Sequence, residues 1–247
     1  MPFRSEVRKL SNVVKTIHAD IRRLANPEKA KLLQRFFKTS PGQYGEGDVF
    51  AGIPVPATRK LARKYRDIPI GCAADLLKSP LHEERLLALL ILVEQYRKGD
   101  DSARERIYRL YLKNTCYINN WDLVDLSAGH IVGAHLDGTD PVPLYRLARS
   151  KSLWKRRIAI LATFHDIMRG IPDHTLALAD ILLADRHDLI HKAVGWMLRE
   201  VGKRCDADIL REFLRTRYRS MPRTMLRYAI ERFPTKERKA YLAGTID

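Results

Sequence analysis

Residues 154–160, WKRRIAI, are answered 35 residues later by 189–195, LIHKAVG, and 35 later again by 224–230, TMLRYAI. The fourth place in each is a cation, Arg157, Lys192 and then Arg227, followed by small or apolar residues. The longer helical stretches begin near 82, 119, 153, 187 and 222, so the step extends well beyond these three segments. A helix pair recurring every roughly 35–47 residues marks a tetratricopeptide, HEAT or armadillo-like solenoid. The tetratricopeptide consensus residues are missing, which favours the HEAT-like form. Because each repeat in such an array packs on its neighbours, one domain spanning 1–247 is expected, curved, with a concave face. Cations in a shared register would make that face basic. The plainer reading is that they are ordinary solvated helix positions.

Outward from the repeat, nearly all of the chain reads as helix. Apolar residues recur at three- and four-residue spacing, as in LLALLILVEQYRKG (86–99), which stops at Gly99 after a basic last turn. Asn26-Pro27-Glu28 reads as a cap, a proline at the first helical position and an acid in the first turn. The spacing predicts about 14 helices, at 6–25, 27–39, 56–66, 70–78, 82–98, 101–113, 119–135, 141–150, 153–169, 172–184, 187–203, 205–217, 222–232 and 234–244. The fold class is all-α. Residues 40–55, SPGQYGEGDVFAGIPV, form the one long irregular loop expected, and such loops are often functional.

The 247 residues carry 45 Lys and Arg against 29 Asp and Glu, a net charge of +16. That excess points to a polyanionic partner, most often nucleic acid. No uncharged apolar run is long enough to span a membrane. The start, MPFRSEVRKL, lacks a signal-peptide core, so an intracellular protein is expected; the charge adds association with nucleic acid, DNA above all, and a monomer with no membrane partner is the accompanying expectation. The three widely spaced cysteines argue against a disulfide framework or a zinc ribbon.

Trp121-Asp122-Leu123-Val124-Asp125 is the most unusual segment. Trp121 and Asp125 are four apart and share a helical face, with Asn119 and Asn120 before them as caps. A carboxylate beside a Trp in a basic groove is poised for electrostatic work. By spacing alone, a core Trp with Asp125 salt-bridged to the next repeat is the default. Trp154-Lys155-Arg156-Arg157 and Gly195-Trp196 bring the other two tryptophans onto successive first helices, beside cations that would suit a nucleic-acid surface. His187-Asp188-Leu189-Ile190-His191 imitates a zinc helix, but a third ligand at recognisable spacing is missing and His187 serves equally as a cap. Nucleotide-binding fingerprints, the P-loop and the serine nucleophile elbow are absent from the sequence.

Several segments, taken together, carry a resemblance. They are Tyr44 with Phe50-Ala51-Gly52-Ile53-Pro54-Val55-Pro56, then Trp121 to Asp125, Trp154 to Arg157, Lys192 to Glu200, and Met221 to Ala229. In order and spacing, from about 25 to 232, they resemble the AlkD branch of the AlkC/AlkD DNA alkylation-repair glycosylases. The resemblance implies a HEAT-like solenoid holding duplex DNA on its concave face. It implies hydrolytic release of cationic N3- and N7-alkylated purines, with neither metal nor cofactor. Asp125 would be the catalytic carboxylate, and Trp121 and Trp196 the aromatic walls beside the damaged nucleotide. Arg157 would bind the DNA backbone at the lesion, with Arg156, Lys192 and Arg227 completing the DNA-binding set. Tyr44 would sit on the loop approaching the duplex. Two other functions suit the same solenoid, a non-catalytic nucleic-acid scaffold and a protein-binding adaptor. The adaptor would not require a charge of +16.

Overall fold

The computed structural model describes residues 2–246, with side chains from Asn12 onward. Met1 and Asp247, the ends of the expected domain, and the side chains of the opening MPFRSEVRKL lie outside the described residues. Among the described residues every regular element is helical, and one isolated bridge joins Val49 to Leu81. The chain forms two compact units that meet in sequence at Ser127 and Ala128.

The first unit holds α1 (Pro2–Leu24), α2 (Pro27–Phe36), α3 (Val55–Lys64), α4 (Ile70–Leu76), α5 (His82–Lys98), α6 (Asp101–Lys113) and α7 (Trp121–Asp125). Its spine is α5, on which α3, α4, α6 and α7 all pack. Leu86 to Leu92 are buried without a break, so the middle of this helix is apolar all round, as the centre of a unit requires. The Asn26 side chain caps α2 by accepting from the Lys29 amide at 3.0 Å, as the sequence leads one to expect.

The second unit holds a π-helical turn (Gly129–Gly133), α8 (Ala134–Leu136), α9 (Val142–Ala148), α10 (Leu153–Ala162), α11 (Phe164–Met168), α12 (Asp173–Leu182), α13 (Asp188–Arg204), α14 (Ala207–Arg215), α15 (Arg223–Ala229) and α16 (Thr235–Ala243). Here α13 is the spine, contacting α10, α12, α14 and α15. Helices α10, α13 and α15 start at 153, 188 and 223, two steps of 35 residues, and α13 packs on both of the others. The repeat read from sequence is therefore a physical stack in this unit. Arg157, Lys192 and Arg227 are each the fifth residue of their helix.

Two expected helices are broken. The segment 119–135 is not continuous: α7 ends at Asp125, and a turn and the π-helical turn follow. Ser127 is the cause on its N-terminal side. Its buried hydroxyl donates to the carbonyl of Leu123 at 2.5 Å and accepts from the Tyr111 hydroxyl at 3.0 Å, which bends the chain out of the α-helical ladder. Likewise 153–169 divides at Thr163, whose buried hydroxyl donates to the carbonyl of Ile160 at 2.8 Å. Among the described residues no helix is long and apolar enough to cross a membrane.

Candidate functional site

Residues 37–54 leave backbone groups without helical partners, and one buried side chain of α5 supplies three of them. The Glu83 carboxylate accepts from the amides of Ala51, Gly52 and Ile53 at 2.9, 2.8 and 3.1 Å. Gly52 takes φ +82°, and a Cβ there would lie 2.1 Å from the carbonyl oxygen of Asn26, so only glycine fits. Asp48 accepts from Arg85 at 2.5 Å and from the Asn120 amide at 2.9 Å, and pairs with His82 Nδ1 at 3.1 Å. The other ring nitrogen of His82 reaches Asp122 at 2.9 Å. Burial alone would push the imidazole pKa down, but hydrogen bonds to Asp122 and Asp48, and their charges, lift it to about 9. Burial likewise acts to raise Asp48, and the His82 hydrogen bond, the Arg85 charge and the Asn120 amide together hold it below the usual carboxylate range.

An aromatic stack rises from this network. The His82 ring stacks on Phe50 at 4.4 Å, Phe50 on Phe37 at 4.9 Å, and Phe37 on Trp121 at 4.9 Å with planes 16° apart. Phe36 meets Trp121 edge-on at 5.8 Å and is 63% exposed. Asn120 caps α7 by accepting from the Trp121 amide at 2.9 Å while its own amide donates to Asp48. The helix so held carries half-buried Trp121 at one end and half-buried Asp125 at the other. Burial raises the Tyr111 hydroxyl pKa, its hydrogen bond with Ser127 works against that, and the Asp125 charge adds to the rise. The hydroxyl of Tyr44, half-buried in the loop, donates to the carbonyl of Phe36 at 3.5 Å. The first unit thus gathers Tyr44, Trp121 and Asp125 about one short helix and the loop beside it.

In the second unit the expected cations separate into two kinds. Arg157 is 4% exposed and donates to the carbonyl of Leu189 at 2.5 Å. Arg156 is paired with Asp185 at 2.6 Å and donates to the carbonyls of Ser150 and Lys151 at 3.1 and 2.9 Å. Both guanidiniums therefore tie α10 to the chain entering α13. Lys192, paired with Asp188 at 2.6 Å, and exposed Arg227 line a groove of about 840 Å³ along α13, α15 and α16. Arg199, Arg223 and Arg238 join them there, against the acids Asp188 and Glu231. Trp196 is half-buried with the Phe164 ring 6.4 Å away. Its neighbour Gly195 allows close packing: a Cβ there would lie 2.4 Å from the carbonyl oxygen of Met225. His187 caps α13 by accepting from the Leu189 amide at 3.1 Å, and His191 donates to the carbonyl of Asp185.

The sequence reading missed Phe36, His82, Asp48 and Glu83 in the first unit and Arg199, Arg223 and Arg238 in the second. The adjacent pair Phe36-Phe37 before a glycine-rich loop was the available signal for the first. The others join partners far along the chain, as when His82 meets residues 34 and 40 positions away.

The family model of the DNA alkylation repair enzymes matches residues 17–233. The solved structure of a predicted DNA alkylation repair enzyme from Enterococcus faecalis is similar, with a TM-score of 0.65 at 16% identity, covering 85% of this chain and 97% of that one. Identity at that level speaks for the fold alone. No curated protein matches the chain in sequence.

Proposed function

The chain belongs to the DNA alkylation repair enzyme family, and from that premise we propose that it is a DNA glycosylase, releasing cationic N3- and N7-alkylated purines from duplex DNA. The observation that carries this reading is α7. One short capped helix presents a carboxylate, Asp125, four residues from Trp121, a tryptophan whose ring is held by Phe37 and flanked by exposed Phe36. The chemistry asks for little more. An N3- or N7-alkylpurine is already positively charged, so when the glycosidic C1′–N bond breaks, its electron pair neutralises the base. No general acid is needed. The sugar becomes oxocarbenium-like, and a nearby carboxylate stabilises it and orients water, whose oxygen bonds to C1′ while its proton passes to Asp125 or to solvent. Tryptophan faces beside a cationic sugar add attraction of about 0.5–2 kcal/mol each.

In this reading Trp121 and Trp196 each offer an aromatic face to the damaged DNA, and Tyr44 and Phe36 face the duplex from the loop and from α2. Lys192 and Arg227 contact the phosphate backbone. Arg156 and Arg157 contribute charge and also fix the residues that open α13. The units form one HEAT-like domain, a reading supported by the family match running across their boundary. The five cations of the α13–α15–α16 groove favour a second reading, a scaffold that binds nucleic acid without chemistry. One assay separates the two. The protein is incubated with a duplex containing N7-methylguanine and free base is measured. Release above the spontaneous rate is expected of the enzyme, whereas tight binding without release would leave the scaffold.

A further inference from the structure

His82 sits at the first turn of α5, 1% exposed, with both ring nitrogens occupied by carboxylates from elsewhere in the chain. A carboxylate accepts hydrogen bonds and does not donate them, so both nitrogens must carry protons. The imidazole is a buried cation, and Arg85 is a second, against Asp48 and Asp122. Such a cluster is an expensive way to hold a core together, since apolar residues of similar volume serve as well or better. Directional hydrogen bonds add a fixed angle between the groups they join.

The feature oriented here is α7. Five residues of helix hold themselves poorly, because nucleation costs more than so few backbone bonds return. The helix is gripped at its start instead, by Asn120 at the Trp121 amide and by His82 at Asp122, the residue next to Trp121. The ring of the same histidine is the base of the stack that runs through Phe50 and Phe37 to the Trp121 indole. One side chain therefore touches both supports of Trp121, the Asp122 carboxylate beside it and the column beneath it. Through Asp48 it also joins those supports to the loop carrying Tyr44.

We propose that His82 is the positioning residue of this site: by bridging Asp48 of the loop and Asp122 of α7 it sets the stance of Trp121 and, with it, the face of α7 that carries Asp125. Its consequence for base release rests on the glycosylase reading above. Its consequence for Trp121 does not.

The test uses the full chain with His82→Gln, which keeps a donor for one carboxylate and loses the other, and with Asp122→Asn, which keeps the shape and removes the charge. Indole N–H signals are recorded by ¹H–¹⁵N correlation, with the Trp121 signal identified by its loss in Trp121→Phe. Single-turnover release from an N7-methylguanine duplex and affinity for undamaged duplex are measured alongside. In His82→Gln the Trp121 signal should shift or broaden while those of Trp154 and Trp196 hold. The rate at saturating enzyme should fall by about tenfold or more, the scale at which misplaced groups act. Affinity for undamaged duplex should stay within about twofold, since the groove cations are untouched. A folded variant with an unmoved Trp121 signal and full rate would overturn the proposal, as would rate, affinity and all three indole signals failing together. If His82→Gln does not fold, Asp122→Asn decides by the same readouts. If the natural protein itself releases no base, the glycosylase reading fails, and the Trp121 signal alone decides the role of His82.

Discussion

Asp125 closes α7 one residue before the chain bends at Leu126 and Ser127, which leaves its carboxylate half-buried at the end of a very short helix. Asp125→Asn keeps the shape and deletes the charge. It should cost about 3–5 kcal/mol of transition-state stabilisation, enough to abolish measurable release, while duplex affinity stays equal or rises. Single-turnover kinetics at near wild-type rate would move the chemistry elsewhere. His82 makes a different prediction, because its charge concerns stability as well as orientation. Its folded pKa, about 9, stands above the ordinary value of 6.5. The imidazolium therefore stabilises the fold fully below pH 6.5 and loses that contribution as pH rises through about 9. The groups facing it are Asp48 from the loop and Asp122 from α7, with Arg85 on its own helix bound to Asp48. Denaturant melts at a series of pH values should show His82→Gln less stable than wild type by roughly 3 kcal/mol at pH 6, the gap closing toward pH 9.5. On the acid side Asp48, whose pKa is lowered, supports the fold above the usual carboxylate pKa and withdraws that support as pH falls through its own. A gap constant across the whole range would mean that His82 acts by shape alone. None of this was legible locally: in the sequence His82 is a polar residue at a helix start, and only the fold brings Asp48 and Asp122 to it.

At the scale of elements, the helices and their 35-residue step were legible because periodic apolar residues report burial directly. The breaks after Asp125 and at Thr163 were not. They depend on hydroxyls bonding to their own helix, and Ser127 does so in a pocket completed by Tyr111 from α6. Close approach of helices is equally invisible, since a glycine inside a helical pattern reads only as a weak helix former. Gly195 shows what it permits. A methyl group there would lie 2.4 Å from the Met225 carbonyl oxygen and 2.6 Å from Tyr228 Cβ, so α13 and α15 would have to separate. Gly195→Ala should destabilise the protein by ~2 kcal/mol or more, lowering the melting temperature by about 5 °C. Gly71→Ala is the internal control. Its Cβ would meet nothing within 4 Å, and alanine in α4 should be neutral or stabilising by about 0.5 kcal/mol. Equal melting temperatures for the two variants would show that the α13–α15 contact yields more easily than its backbone atoms suggest.

For the whole molecule the charge is the guide. Residues 1–127 hold 23 Lys and Arg against 15 Asp and Glu, and residues 128–247 hold 22 against 14, so each unit carries +8 of the total +16. A basic tail would have put the excess at one end. An even share is what a long polyanion lying along the chain would favour. Much of that charge is nonetheless internally committed, as Arg156 is to Asp185 and Arg217 to Asp180, and a count of cations overstates the number that meet phosphate. Lys192 and Arg227 are the residues that both share the repeat register and line the open groove of the second unit. Each phosphate contact releases condensed counterions, so its loss lowers the slope of log affinity against log salt by about one unit. The double variant Lys192→Ala with Arg227→Ala should therefore bind damaged and undamaged duplex more weakly by the same factor, with a slope smaller by about two units. Arg157→Ala should differ from it. That side chain is buried and donates to the carbonyl of Leu189, so its removal should lower the melting temperature as well as affinity. Salt titrations of a fluorescent duplex, run beside thermal melts of the same variants, separate the two kinds of cation. A double variant whose slope is unchanged would exclude the α13–α15–α16 groove from the DNA path.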